Sequence, residues 1–427
     1  MTKGSRIDAT TRQDTPAADT SPSHRPGQDS PARPGAGALD GLQILDLTSV
    51  LFGPYATQTL GDWGADIIKI ENLAGDLWRY SGLARNRGMS GQFMAVNRNK
   101  RSIALDLKQD AGKAVLRRLI SGADALVSNV RPAALDRLGF SYTACSALKP
   151  DLVYVCATGY GQDGPWAARP AFDEIIQAAS GFAASMGSDD SPAYVPSLMA
   201  DKICALALTS AVVAALLHRS RTGQGQLVEV PMQETLAAFN SIEMLGGSAF
   251  EPPIGPTGYN RVRERQPAQT LDGWISMLPY SAEQWCTFFE AVGQPEAIDE
   301  LGVMDPVQRA ANIDRLYARM RDIVATRSTA EWERLLLEID IPHAPFTRMQ
   351  DVREQRHLKG VGLFETVEHP SEGTLVQPRP ATRFSDSPAS VRRPAPRLGQ
   401  DTRAILLEAG YSAADIERLL SDGAVAE

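Results

Sequence analysis

From Leu39 onward the chain alternates between short apolar runs and amphipathic stretches. Leu42–Thr48 (LQILDLT) reads as a strand, Pro54–Trp63 as a helix and Ala65–Glu71 (ADIIKIE) as a second strand. Ser102–Leu107 (SIALDL) predicts a third strand. Asp110–Ser121 carries its apolar residues at helical spacing. A strand over Ala125–Val130, a short helix over Pro132–Leu138 and a strand over Leu152–Thr158 follow. Strands alternating with helices predict an α/β fold with a parallel, doubly wound sheet. Several of these strands are apolar on both faces, as a sheet covered by helices on each side requires.

The character shifts after Thr222. Gly223–Gln226 reads as a turn, Leu227–Val230 as a strand and Pro231–Leu245 as a helix. Gly246–Gln269 is rich in Gly, Pro and Arg and has little pattern, which predicts a long loop or an inter-domain crossing. Gly273–Pro279 opens a second unit, with helices at Ala282–Val292, Ala310–Ala325 and Ala330–Ile339. Ile341–Pro345 interrupts the helices and returns the chain to the first unit. Gly362–His369 and Gly373–Val376 predict a hairpin, and the last helix runs from Thr402 to Glu408. The expected organisation is a disordered tail over 1–38, a large α/β domain begun by 39–225, a crossing over 226–269, a smaller domain over 270–340, and a return over 341–427 that completes the large domain.

Composition narrows the function classes. The formal net charge of −8, without a Lys/Arg block, argues against nucleic acid as a partner. The four cysteines form no CxxC pair and the five histidines form no HxH or HExxH pattern, so no metal site is expected. Unpaired cysteines and the lack of a secretory signal fit a cytoplasmic protein. The longest apolar stretch, Ile203–Leu217, is too short for a bilayer and reads as a buried helix, so no membrane partner is expected.

Asp201 stands immediately before that stretch, in Ser197-Leu-Met-Ala-Asp201-Lys-Ile. A carboxylate entering a core needs partners or its pKa shifts. Asp201 therefore either caps the helix, where its side chain would accept from first-turn amides, or does chemistry. The helix dipole and amide donors would keep such a carboxylate ionised, and an ionised carboxylate can attack a thioester. Phe172-Asp173-Glu174 opens a helical run, Asp173 to Ala184, where acids meet the helix dipole favourably. Gly159-Tyr-Gly161-Gln-Asp-Gly164 matches the dinucleotide fingerprint, but Pro165 and Pro170 occupy the place of the phosphate-binding helix, so a plain Gly-rich loop at a strand end is the better reading. Arg98, Lys100 and Arg101 crowd a turn that is either a site for a phosphate-rich ligand or a solvated basic turn.

These residues lie among motifs that resemble the class III CoA-transferases, the CaiB/BaiF superfamily that includes formyl-CoA transferase, carnitine CoA-transferases and α-methylacyl-CoA racemase. The resemblance spans roughly Leu39 to Gly410. Its landmarks are Gly41-Leu-Gln-Ile-Leu-Asp46-Leu-Thr with Gly53-Pro54, Leu60–Glu71, Asn99–Lys108, Asn129 with Arg131-Pro, Leu135–Gly139, Thr222–Gln226 and Ala395–Gly399. The family implies a Rossmann-like large domain built from both chain ends, a smaller inserted α+β domain, and a homodimer of interlocked rings. It places the catalytic aspartate on Asp201, with Asp173 orienting the reacting acyl group. It carries CoA-contacting positions to Val50, Leu105, Lys108, Asn129, Arg137 and Met232, where Lys108 and Arg137 suit the nucleotide phosphates.

The implied activity moves CoA from an acyl-CoA to a free carboxylic acid through an aspartyl anhydride and an aspartyl-CoA thioester. Coenzyme A is then a substrate, and no prosthetic group or metal is needed. An acyl-CoA racemase or isomerase on the same scaffold is the alternative, and a catalytically silent CoA-binding subunit is a third reading. Racemases of the superfamily place a His-Asp pair where this chain has Phe172-Asp173, and phenylalanine moves no proton. A glycine run in formyl-CoA transferase is replaced around Thr257–Gln269 by a segment containing Arg261, Arg263 and Arg265, which counts against formate and oxalate.

Overall fold

The computed structural model describes residues 36–187, 190–257 and 265–427. Most of the tail expected to be disordered, and Arg261 and Arg263 of the arginine-rich loop, lie outside the described residues. A mostly parallel seven-stranded sheet forms the centre, in the order β12-β3-β2-β1-β4-β5-β6. Its strands are β1 (Gln43–Leu47), β2 (Asp66–Glu71), β3 (Lys100–Leu105), β4 (Ala125–Ser128), β5 (Val153–Thr158) and β6 (Gln226–Pro231), with β12 (Val425–Ala426) antiparallel on the β3 edge. The order reverses between β1 and β4, which pair in register Ile44↔Ala125. The carboxyl ends of strands at such a reversal open a crevice that helices cannot cover.

Side chains alternate across the sheet. Ile44, Ile67, Val127 and Val155 pack under α1 (Phe52–Asp62) and the helices of the Asp201 region. Leu45, Ile68, Leu126 and Tyr154 pack under the helices Asp110–Gly122, Thr402–Glu408 and Ala413–Ser421. A separate core gathers Ala268–Ile341 around Trp285, Phe288 and Trp332, with a small sheet of β7 (Ala268–Gln269), β8 (Trp274–Met277) and β9 (His343–Pro345). The hairpin strands β10 (Phe364–His369) and β11 (Gly373–Pro378) pair antiparallel.

Several expectations need correction. The predicted run Asp173–Ala184 is two helices, α2 (Asp173–Ala179) and Phe182–Met186, because Gly181 between them takes φ +79°, which breaks the ladder. The interruption at Ile341–Pro345 carries β9, which pairs with β8. Thr402–Glu408 is followed by another helix, Ala413–Ser421, and by β12. The apolar stretch Ile203–Leu217 lies inside a 24-residue helix, α3 (Met199–Thr222), long and apolar enough to cross a membrane. Cys204, Leu208, Val212 and Ala215 of that helix are buried in the core, while Leu206 and Leu217 remain exposed.

Candidate active site

Asp201 is not the cap of its helix. Leu198 occupies the N-cap position and Asp201 is the third residue of the first turn. Its backbone N–H donates to Asp173 Oδ2 at 2.9 Å. Asp173, 2% exposed, begins α2 and also accepts from Gln177 Nε2 at 2.5 Å. Gln177 is fixed in turn by Val195, whose N–H donates to its Oε1 at 3.0 Å. Asp173 thus uses its side chain to hold the start of α3, which is why an acid can be buried there.

The Asp201 carboxyl is only partly exposed, and its pKa is raised to about 7. Burial is the larger cause, followed by the negative charges of Asp173 and Glu174. The Phe52 backbone N–H, the first of α1, faces it and pulls the other way without prevailing. The expectation that dipole and amides keep this carboxylate fully ionised therefore fails: two neighbouring acids and desolvation outweigh one amide.

α1 reaches Asp201 because Gly53 lets its first turn close onto β1; a Cβ there would lie 2.3 Å from the Thr48 side chain. The β1–α1 loop also walls a cleft of about 330 Å³ at the β1/β4 reversal, lined by Thr48, Ser49, Asp76, Leu105 and Lys108 among others. Of the predicted CoA-contacting residues, Leu105 and Lys108 line this cleft. Val50 and Asn129 lie one residue beyond lining residues, and Arg137 projects exposed between Leu135 and Leu138 of its wall. Met232 is not in it; it is buried on the Asp201 side of the sheet, where its carbonyl accepts from Cys204 Sγ at 3.6 Å. Phe172 is 66% exposed at the start of α2.

The basic turn is neither a phosphate site nor solvated. Arg98 pairs with Asp62 at 2.7 Å, Lys100 with Asp46 at 2.9 Å, and Arg101 with Asp66 at 2.5 Å and Glu408 at 2.6 Å. The Gly-rich loop is occupied internally: Gly161 N–H donates to Glu234 and Gln162 N–H to Glu229, each at 2.8 Å. Arg265 stacks over Tyr317 of the smaller core at 5.5 Å. Residues that sequence reasoning passed over are Phe52, Lys69, Asp76 and Gln177. Lys69 alone left a trace, as a lysine flanked by isoleucines inside a strand.

The architecture and chemistry have counterparts. The family model for CoA-transferase family III matches residues 39–402. A succinyl-CoA:glutarate CoA-transferase from Mus musculus is 33% identical, over 91% of this chain and 90% of its own length. A formyl-CoA:oxalate CoA-transferase from Afipia carboxidovorans is 31% identical, over 92% and 98%. Among solved structures, Rv3272 from M. tuberculosis superposes with a TM-score of 0.77 at 26% identity, covering 87% of this chain and 100% of that one. A CaiB/BaiF family protein from Brucella suis gives 0.76 at 27% identity, covering 88% and 100%. The chain therefore belongs to CoA-transferase family III and is an enzyme of the CoA-transferase type.

Proposed function

We propose that the enzyme moves CoA from an acyl-CoA donor to a free carboxylic acid with Asp201 as the covalent relay. The carboxylate attacks the thioester carbonyl, the C–S bond breaks, and a mixed anhydride and CoA thiolate form. The thiolate attacks the aspartyl carbonyl and releases the donor acid, leaving an aspartyl-CoA thioester. The acceptor carboxylate attacks that thioester to give a second anhydride and thiolate. The thiolate then takes the acceptor acyl group and restores the Asp201 carboxylate. Each step exchanges one activated carbonyl for another, so no external energy source is needed.

The observation that carries this reading is the Asp201 carboxyl: partly open, held against an acidic neighbour rather than a cation, with a helix-start amide facing it. A carboxylate kept at about 7 is a better nucleophile than an ordinary one and still largely ionised above neutrality. Asp173 orients the start of α3, Leu105 and Lys108 hold CoA in the cleft, Val50, Asn129 and Arg137 flank it, and Met232 closes the Asp201 side. The enzyme works in the cytoplasm, which its free cysteines fit, and as a homodimer, a reading supported by the exposed apolar residues Leu206 and Leu217 of α3 and Phe239 and Ile242 of the adjoining helix Met232–Met244.

A panel of acyl-CoA donors, starting with succinyl-CoA, against dicarboxylic acceptors, starting with glutarate, tests the activity. Asp201→Asn should lower exchange of labelled CoA by about a thousandfold or more. With donor and no acceptor, hydroxylamine should mark the Asp201 peptide by mass spectrometry; an unmodified peptide under saturating donor would refute the covalent route.

A further inference from the structure

Four residues, Thr48–Leu51, join the end of β1 to α1, and side chains hold backbone groups of the first three. The Thr48 N–H donates to Asp46 Oδ1 at 2.9 Å and the Thr48 carbonyl accepts from Lys69 Nζ at 2.8 Å. The Ser49 N–H donates to Asn129 Oδ1 at 3.0 Å, and its carbonyl accepts from Asn129 Nδ2 at 2.8 Å. The Val50 N–H donates to Asp76 Oδ1 at 3.1 Å, while the other Asp76 oxygen pairs with Lys69 at 3.0 Å. Lys69 and Asp76 are 0% and 4% exposed.

Loops at a sheet edge usually leave such groups to water. Here the holders come from β1, β2, the loop after β2 and the end of β4, so four segments converge on three peptides. They also enforce an unfavourable conformation. Val50 has φ +71°, a region that a β-branched residue enters only under compulsion from its surroundings. The turn it makes has two results. Ser49 walls the cleft, and two residues beyond Val50 the Phe52 N–H faces the Asp201 carboxyl and favours its charge. Asp173 and Glu174 from α2 oppose charge on that carboxyl, and Cys204 lies farther along α3; the Phe52 amide favours its ionised form.

We infer that Asp76, Lys69 and Asn129 are positioning residues for CoA transfer: they lock the Thr48–Val50 peptides so that the first amide of α1 stays on Asp201 while the same loop walls the cleft. The inference rests on Asp201 being the nucleophile. Misplacing the loop by an ångström should slow attack far more than it weakens binding.

The test uses the full chain with the fastest donor–acceptor pair of the panel. Asp76→Ala and Asn129→Ala should each lower kcat about ten- to a hundredfold, with KM for the acyl-CoA changed by less than about threefold. The acidic limb of the rate should move to higher pH as Asp201 loses its amide. Asp76→Asn, which keeps an acceptor for the Val50 N–H, should recover part of the loss. A raised KM with native kcat in Asn129→Ala would make it a CoA ligand and overturn the inference, as would a native kcat and unmoved limb in Asp76→Ala. If Asp76→Ala does not fold, Asn129→Ala decides by the same split. With Asp201→Asn inactive, native behaviour of these variants sinks the loop lock alone; an active Asp201→Asn sinks the nucleophile and the lock together.

Discussion

Carboxylates meet two different fates on the two sides of β1. Toward β2 and β3, buried acids have cations that hold them below their usual range: Asp46 with Lys100 at 2.9 Å and Glu71 with Arg79 at 2.7 Å. Burial alone would raise the Asp46 pKa, but Lys100 and Lys69 overcome it and hold the group at about 2. At the start of α3, Asp201 has Asp173 and Glu174 for company and is held near 7. The first arrangement fixes shape, since an acid committed to a cation is a poor reagent. The second stores reactivity, and its cost is carried by the surrounding packing. Perturbed groups of the second kind gather at functional sites.

The contrast can be broken most forcefully at its structural pole. Lys100→Met leaves Asp46 buried without its hydrogen-bonded cation and should destabilise the fold by about 3–5 kcal/mol in urea denaturation at neutral pH. A loss near zero would mean that the paired network does not define the sheet edge. Asp201→Asn should have the opposite sign. The native Asp201 pKa of about 7 exceeds the ordinary 3.8, so the folded state binds more protons and its stability falls as pH rises from about 4 to 7. The variant lacks that slope and should gain about 1–3 kcal/mol at pH 8 relative to pH 4, a part of the full shift because the group is partly hydrated. A pH-independent difference would remove the electrostatic half of the comparison.

Sharper tests are smaller. Asp173→Asn removes one of the opposing charges and should move the acidic limb of the transfer rate to lower pH, provided that the amide still accepts the Asp201 N–H. An unmoved limb would leave burial and Glu174 as the causes. Last, the Cys204 thiol is pushed up to about 12 by burial and then by Asp201 and Asp173. It should stay unmodified by iodoacetamide at pH 8 in the native enzyme, as peptide mapping would show; rapid labelling would mean that the pocket is wetter than its packing implies.

The central strands were legible because parallel strands buried on both faces announce themselves as apolar runs, as Leu42–Thr48 and Leu152–Thr158 do. Asp201 was legible through its place before an apolar helix, but its role in that helix was not. A side chain at the third helical position looks like a cap until the backbone is seen. The basic turn misled because cations next to one another read as a surface, and only the fold reveals that Asp46, Asp62 and Asp66 converge on them from distant segments. β12, of two residues, is too short to carry a pattern. Lys69 entered only as one letter of the Leu60–Glu71 landmark and Asp76 not at all, because a side chain that holds backbone carries no chemical signature of that role.

That short strand has a kinetic implication. Val425 and Ala426 seal the outer edge of β3, to which they contribute the antiparallel pairs with Leu105 and Ala104. On the ribosome β3 emerges long before its cover does, so the growing polypeptide carries a bare strand edge through most of its synthesis. Such an edge invites pairing between nascent chains, and cells making this enzyme have reason to shield it until Val425 and Ala426 have been added.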